Sequence, residues 1–274
     1  MIAGALPAHR RRGGQIANAP GWAGAAAAAI AGLAVGALVS VLIARVPARR
    51  GLRPPFRCPL CGAELRVTEM IPVLSWLWLR GRCRSCQQPF GLRYLAAELI
   101  TAGLFTALWL RFGPSPLLPA LGYLAAVSVA LFFIDAAYKR LPDALTLPSY
   151  PIGLILLGIG AAWTPGGARH LEGGLIGMAA AWLFFVLQAF IYPAGIGWGD
   201  VKLSGLLGLY LGWFGIRALL LGLFGGYLLA AVAGIGLVLA RRATRKSYLA
   251  FGPYLLVSTM AVILVTGMTV PHSR

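Results

Sequence analysis

The sequence predicts an all-α polytopic membrane protein of about eight transmembrane helices, interrupted once by a soluble insert. Three observations predict it. Of 274 residues, 59% are hydrophobic and only 11% are charged. Several apolar stretches reach or approach the roughly 20 residues that cross a bilayer as a helix. Ten-residue segments of alternating polarity, the mark of a membrane barrel, are missing. Backbone groups in lipid must be satisfied within the chain, so the spans are helices.

In chain order, residues 1–21 form a basic N-terminal tail carrying Arg10, Arg11 and Arg12. The run "WAGAAAAAIAGLAVGALVSVLIA" at 22–44 follows it. It is too long for the apolar region of a signal peptide and ends directly in "RVPARR", so it reads as the first span. Residues 45–93 form the insert, and 94–270 the remaining membrane domain. Within that domain, spans are expected at 94–112, 117–136, 148–164, 173–192, 203–215, 218–240 and 249–269, the sixth span overall (203–215) being the shortest. Gly208 with Gly212, and Gly222 with Gly226, have the small-xxx-small spacing of closely packed membrane helices.

The net charge of +17 would suit a nucleic-acid partner, but in a membrane protein the arginines report orientation instead. Between Arg45 and Arg93 stand ten arginines against two acids, Glu64 and Glu69. Eight spans collect that insert, Lys139, Arg140, Lys202, Arg241, Arg242, Arg245 and Lys246 on one side, with 17 of the 24 basic residues. The bias places the insert in the cytoplasm and both termini outside, in a multi-pass protein of the inner (cytoplasmic) membrane in contact with its lipids. The three arginines of the tail run against that bias.

All four cysteines lie in the insert, as "CPLC" (Cys58, Cys61) and "CRSC" (Cys83, Cys86), with 21 residues between the pairs. That is close to zinc-ribbon spacing. Four thiolates fill a tetrahedral shell and leave no position for a catalytic water, so the expected metal is structural zinc. Paired disulfides are the other reading, disfavoured in a reducing cytoplasm. An insert this small has little core of its own, so metal binding would contribute much of its folding free energy. The apolar residues Ile71, Val73, Leu74, Trp76, Leu77 and Trp78 are expected against the zinc site or the membrane face, with Arg80 and Arg82 near headgroups.

Only three aspartates occur, and all fall on the cytoplasmic side of this arrangement. Asp135 ends the third span, Asp143 follows in a proline-marked loop, and Asp200 stands in "GWGDVKLSGLLG" at the start of the sixth span. An acid near hydrocarbon costs several kcal/mol and points to function. Two carboxylates sharing a low-dielectric site cannot both ionise easily. The ionised one can take a proton from water while the other donates to a scissile carbonyl, which is aspartyl-protease chemistry. Gly197 and Gly199 would let a substrate strand approach Asp200 closely. Boundary charges balanced by lysine and arginine, or ion carriers of a transporter, fit the same charge placement. Asp143 reads as a residue that caps or positions the next span.

Several of these segments resemble one family, the type IV prepilin peptidases, bifunctional leader peptidases and N-methyltransferases of the GxGD aspartyl class. "GWGDVKLSGLLGLYLGW" resembles its glycine-x-glycine-aspartate-x-lysine segment. "IDAAYKRLPDALTLP" is similar to its first-aspartate segment, "CPLC…IPVLSWLWLRGRCRSC" and "LRYLAAELITA" to its insert and second span, and "FGPYLLVS" to its last span. The matches run in family order from about residue 36 to 258. The resemblance implies that Asp135 and Asp200 are the catalytic pair and that Cys58, Cys61, Cys83 and Cys86 bind zinc. It implies a prepilin or pseudopilin substrate, cut at the cytoplasmic face between a basic leader and an apolar helix, within a type IV pilus or type II secretion system. It also implies methylation of the new N-terminus by S-adenosylmethionine, for which Glu98 is the candidate residue; an acid stabilised by a helix N-terminus is the alternative reading. Ser40 and Ala44 stand where the family usually carries asparagine and tyrosine, which bears on methylation or substrate positioning. A cleavage-only peptidase of the same class, a proton-coupled transporter and a zinc-anchored assembly factor are the rival readings.

Overall fold

The structure is a computed structural model and describes residues 21–48, 61–64, 82–88, 91–192, 196–241 and 250–266. Among them there are eight α-helices and no strand: α1 (Trp22–Arg45), α2 (Leu92–Phe112), α3 (Leu118–Tyr138), α4 (Asp143–Trp163), α5 (Gly167–Ile191), α6 (Trp198–Trp213), α7 (Ile216–Leu239) and α8 (Gly252–Thr266). The all-α fold with eight helices is as expected. Six of them, α1 to α5 and α7, are long and apolar enough to cross a membrane. Their outward faces carry isoleucine, leucine and phenylalanine, such as Ile155, Ile176, Leu220 and Phe224. So much exposed apolar surface is compatible with lipid and not with water. This is a multi-pass membrane protein.

The two remaining helices are shorter. At 16 residues α6 is about 24 Å long, less than the roughly 30 Å of a bilayer's hydrocarbon. It is buried on all sides from Asp200 to Trp213, save Lys202, as expected of a helix apolar all round. α5 packs most extensively on it, and α4, α7 and α8 also touch it. A Cβ at Gly208 would stand 2.3 Å from the Gly177 carbonyl oxygen, and one at Gly212 would stand 2.4 Å from that of Gly173. These backbones therefore meet directly, as the small-residue spacing predicts. Gly222 and Gly226 serve the same end with side chains, receiving Leu211 and Leu255.

α4 differs from expectation. It begins at Asp143, not 148, and Pro148 and Pro151 lie inside it. Pro142 is its N-cap, and the Pro142 carbonyl accepts the Leu145 and Thr146 N–H groups. The internal prolines remove two ladder bonds, a loss that a membrane helix tolerates when neighbours pack around it. Asp143 thus stands in a helical first turn, not in a loop.

The helix ends sort into two sets. One set joins the Leu141 turn to Gly199 and Gly252 and Asp143 to Lys202. The opposite set joins Arg111 to the Leu264 carbonyl at 3.0 Å and His170 to the Trp213 carbonyl at 2.9 Å. The up-and-down alternation of the helices is therefore as expected.

Candidate active site

Asp135 is in the last turn of α3. The helix stops where Lys139 turns left-handed (φ 52°) while its N–H still bonds the Asp135 carbonyl at 2.8 Å. From the other side arrives the start of α8. The Gly252 N–H donates to the Asp135 carboxyl group, and a Cβ at Gly252 would stand 2.6 Å from Asp135 Oδ2. Only glycine leaves that carboxyl group where it is.

Asp200 is the third residue of α6, and Gly197 is the N-cap. The Gly197 N–H donates back to the Asp200 carboxyl group, half of a capping box. The positive end of the helix dipole adds to its anchoring. A Cβ at Gly199 would stand 3.0 Å from the Leu141 Cβ, so the α3–α4 turn rests on this first turn of α6. Leu141 also reaches Gly252, and thus touches both acid-bearing segments.

These contacts bring Asp135 and Asp200 together, and their carboxyl groups interact electrostatically. Each is 5% exposed, and among the described residues no other charged side chain is buried. An aromatic wall lies beside Asp200. Tyr227 is within its electrostatic reach, donates to Gln188 Oε1, and packs on Phe251 with ring centroids 4.8 Å apart. Gly252, Leu141 and Tyr227 are site residues that charge counting does not find. Gly252 lies within "FGPYLLVS" and Leu141 within "IDAAYKRLPDALTLP", but neither segment by itself marks them as neighbours of the acids.

Asp143 does not join the pair. Its carboxylate accepts from Lys202 Nζ at 2.7 Å, with both groups partly exposed. Such a pair contributes at most about 1 kcal/mol, so its use is positional, tying the start of α4 to the lysine two residues after Asp200. The expected positioning role for Asp143 has a geometric basis in this contact.

Three of the cysteines come together. Cys61, Cys83 and Cys86 hold their sulfurs within 4.8 Å of one another, with Cys61 Sγ and Cys83 Sγ 3.9 Å apart. Two thiolates on one tetrahedral zinc at about 2.3 Å stand about 3.8 Å apart, so the spacing fits that metal. Cys58, the apolar residues Ile71 to Trp78 and Arg80 lie outside the described residues.

Glu98 is half-buried on α2, facing α1, where a Cβ at Gly36 would stand 2.7 Å from the Glu98 Cα. Because α2 begins at Leu92, Glu98 is past the first turn, beyond the reach of the helix N-terminus. That removes the alternative reading of this residue. One turn away, the Ser40 hydroxyl donates to the Tyr94 carbonyl at 3.2 Å and ties α1 to α2.

Two family models match the chain. Residues 30–112 match the bacterial peptidase A24 N-terminal domain, and residues 122–264 match the type IV leader peptidase family. The chain is 39% identical to a prepilin leader peptidase/N-methyltransferase of Aeromonas hydrophila, over 76% of this chain and 70% of that one. A protein of the same description from Neisseria gonorrhoeae is 34% identical, over 84% of this chain and 87% of its own length. Another from Myxococcus xanthus (strain DK1622) is 40% identical over 77% of this chain. No solved structure matches the chain significantly.

Proposed function

This chain belongs to the type IV leader peptidase family, and on that premise we propose a membrane-embedded aspartyl endopeptidase whose catalytic pair is Asp135 and Asp200. It removes the leader of a prepilin or pseudopilin and methylates the new N-terminus. The observation that carries the assignment of residues is the burial of these two acids on different helices at one end of the bundle, within electrostatic reach of each other.

In the first step the ionised carboxylate takes a proton from a water molecule, whose oxygen attacks the scissile carbonyl carbon. The protonated partner donates to the carbonyl oxygen, giving a neutral tetrahedral diol. The diol's collapse returns a proton to the departing amine, breaks the C–N bond and restores the one-proton pair. The hydrogen bonds from Gly252 and Gly197 orient the two carboxyl groups. The aromatic wall of Tyr227 and Phe251 limits water on one side.

The site faces the cytoplasm of the inner membrane, where the basic leader stays in water and the apolar helix stays in lipid. S-adenosylmethionine would supply the methyl group for the second reaction, with Glu98 as the candidate methyltransferase residue. Residues 45–93 form the zinc-binding insert, held by Cys58, Cys61, Cys83 and Cys86, and 94–270 form the peptidase domain.

Asp135→Asn and Asp200→Asn each lower prepilin cleavage in membranes by about 10³-fold or more while insertion and helicity stay intact. Mass spectrometry of the product N-terminus reads cleavage and the added methyl group together. Cleavage retained in either variant would remove the paired-acid assignment.

A further inference from the structure

A lipid-facing groove of about 330 Å³ runs between α2, α3 and α8. Ser128 and Phe132 of α3 form its floor; Ile100 of α2 and Val257, Met260 and Leu264 of α8 form its walls. We propose that this groove seats the apolar helix of the prepilin substrate, the segment that follows the scissile bond. The inference rests on the peptidase reading and says where that enzyme holds its substrate.

The first argument is continuity with the acids. Phe132 is three residues before Asp135 on α3, one helical turn. Leu256, also at the groove, is four residues after Gly252, whose N–H holds the Asp135 carboxyl group. The cytoplasmic end of the groove, at Phe132 and Leu256, therefore lies about one helical turn from Asp135. From Leu256 to Leu264 it extends about 12 Å into the membrane, roughly two turns of a docked helix.

Access is the second argument. Ile100 is 45% and Val257 47% exposed, so an occupant can arrive sideways from lipid without first leaving the bilayer. α2 and α8 barely touch each other, which leaves the space between them open over the α3 floor.

The third concerns a single polar group. Ser128 is buried, and its hydroxyl has no hydrogen-bond partner in an otherwise apolar groove. A membrane serine ordinarily bonds the carbonyl one turn back, as Ser149 does to Leu145. An unpaired buried hydroxyl costs about 1–3 kcal/mol; the hydroxyl is covered in this conformation, and a turn about Cα–Cβ toward a polar group on a docked peptide helix would remove that cost. An acyl chain brings no such group, so the hydroxyl favours a peptide occupant over lipid.

Two measurements in lipid nanodiscs test this, using a full-length prepilin and a peptide of the same leader that ends just past the scissile bond. In an Asp200→Asn background, Val257→p-benzoylphenylalanine should photo-cross-link the full-length prepilin. The same group at Ile155, exposed on α4, should not. In the active enzyme, Val257→Trp and Ala261→Trp should each lower the preference for full-length prepilin over the short peptide by roughly ten-fold or more, measured as the ratio of kcat/KM values. Equal cross-linking at Ile155, cross-links to lipid alone under saturating prepilin, or an unchanged preference in both tryptophan variants would overturn the groove. Where a tryptophan variant fails to fold, the cross-link alone decides. Wild-type enzyme that cuts neither substrate would instead overturn the peptidase reading, a separate result.

Discussion

At the scale of single residues, the geometry of the acid pair depends on a glycine with no reactive group of its own, Gly252. Gly252 donates its N–H to Asp135 and leaves no room for a Cβ beside Oδ2. In Gly252→Ala the carboxyl group must swing away, because the Cβ would otherwise stand 2.6 Å from it. Misplacing a catalytic group by about 1 Å costs up to 10²-fold in rate. Gly252→Ala should therefore lose about 10- to 100-fold in kcat with its thermal midpoint nearly unchanged, as paired assays of cleavage and melting would read. A large fall in the midpoint with normal kcat would mean the glycine serves packing alone. Asp135 and Asp200 were legible in the sequence because acids are scarce in an apolar chain. Gly252 was not, because no local spacing links residue 252 to residue 135; only the fold makes them neighbours.

Among the elements, α6 decides where Asp200 stands. Its position is set by backbone contact with α5 at Gly173, Gly177, Gly208 and Gly212, and by Tyr150, whose hydroxyl donates to the Lys202 carbonyl. The small-residue spacing made this packing legible before the partner helix was known. The helix starts were less so. Proline normally ends or begins a helix, and a start at Pro148 is five residues too late, whereas Pro142 performs that task six residues earlier. The placement of Asp143 changed accordingly, from a loop residue to the first residue of α4, paired with Lys202. Gly208→Val should force α5 and α6 apart, since a Cβ there would already stand 2.3 Å from a carbonyl oxygen. Overpacking of this kind costs about 1–3 kcal/mol. A thermal melt of the nanodisc-bound protein should show that loss together with weaker cleavage, because the helix that shifts carries Asp200. An unchanged melt would mean that the two helices do not meet at this glycine.

Across the whole molecule, the two ends of the bundle differ in charge and share an aromatic boundary. Trp22 and Trp163 are exposed at one end, and Tyr138, Tyr192 and Trp198 at the other, the interfacial levels where such rings reside. The acids, Lys139, Arg140, Lys202 and the ends of α1 and α2 that flank the cysteine segment all share the second end. The cysteine cluster, which could hold a metal ion, takes its thiols from 61–86, whereas the acid pair is framed by α3, α6, α8 and the Leu141 turn. Structural zinc contributes folding free energy to the segment that binds it, so metal removal should act locally. Wild-type protein should carry about one zinc per chain, and Cys83→Ser, at the buried cysteine of the cluster, nearly none. Hydrogen exchange in Cys83→Ser should rise at 82–88 while amides of α3, α6 and α8 stay protected. If exchange rose equally in those three helices, the insert would be a pillar of the catalytic bundle and not a separately folded unit. Metal-free wild-type protein with slow exchange at 82–88 would show that the thiols hold that segment without zinc.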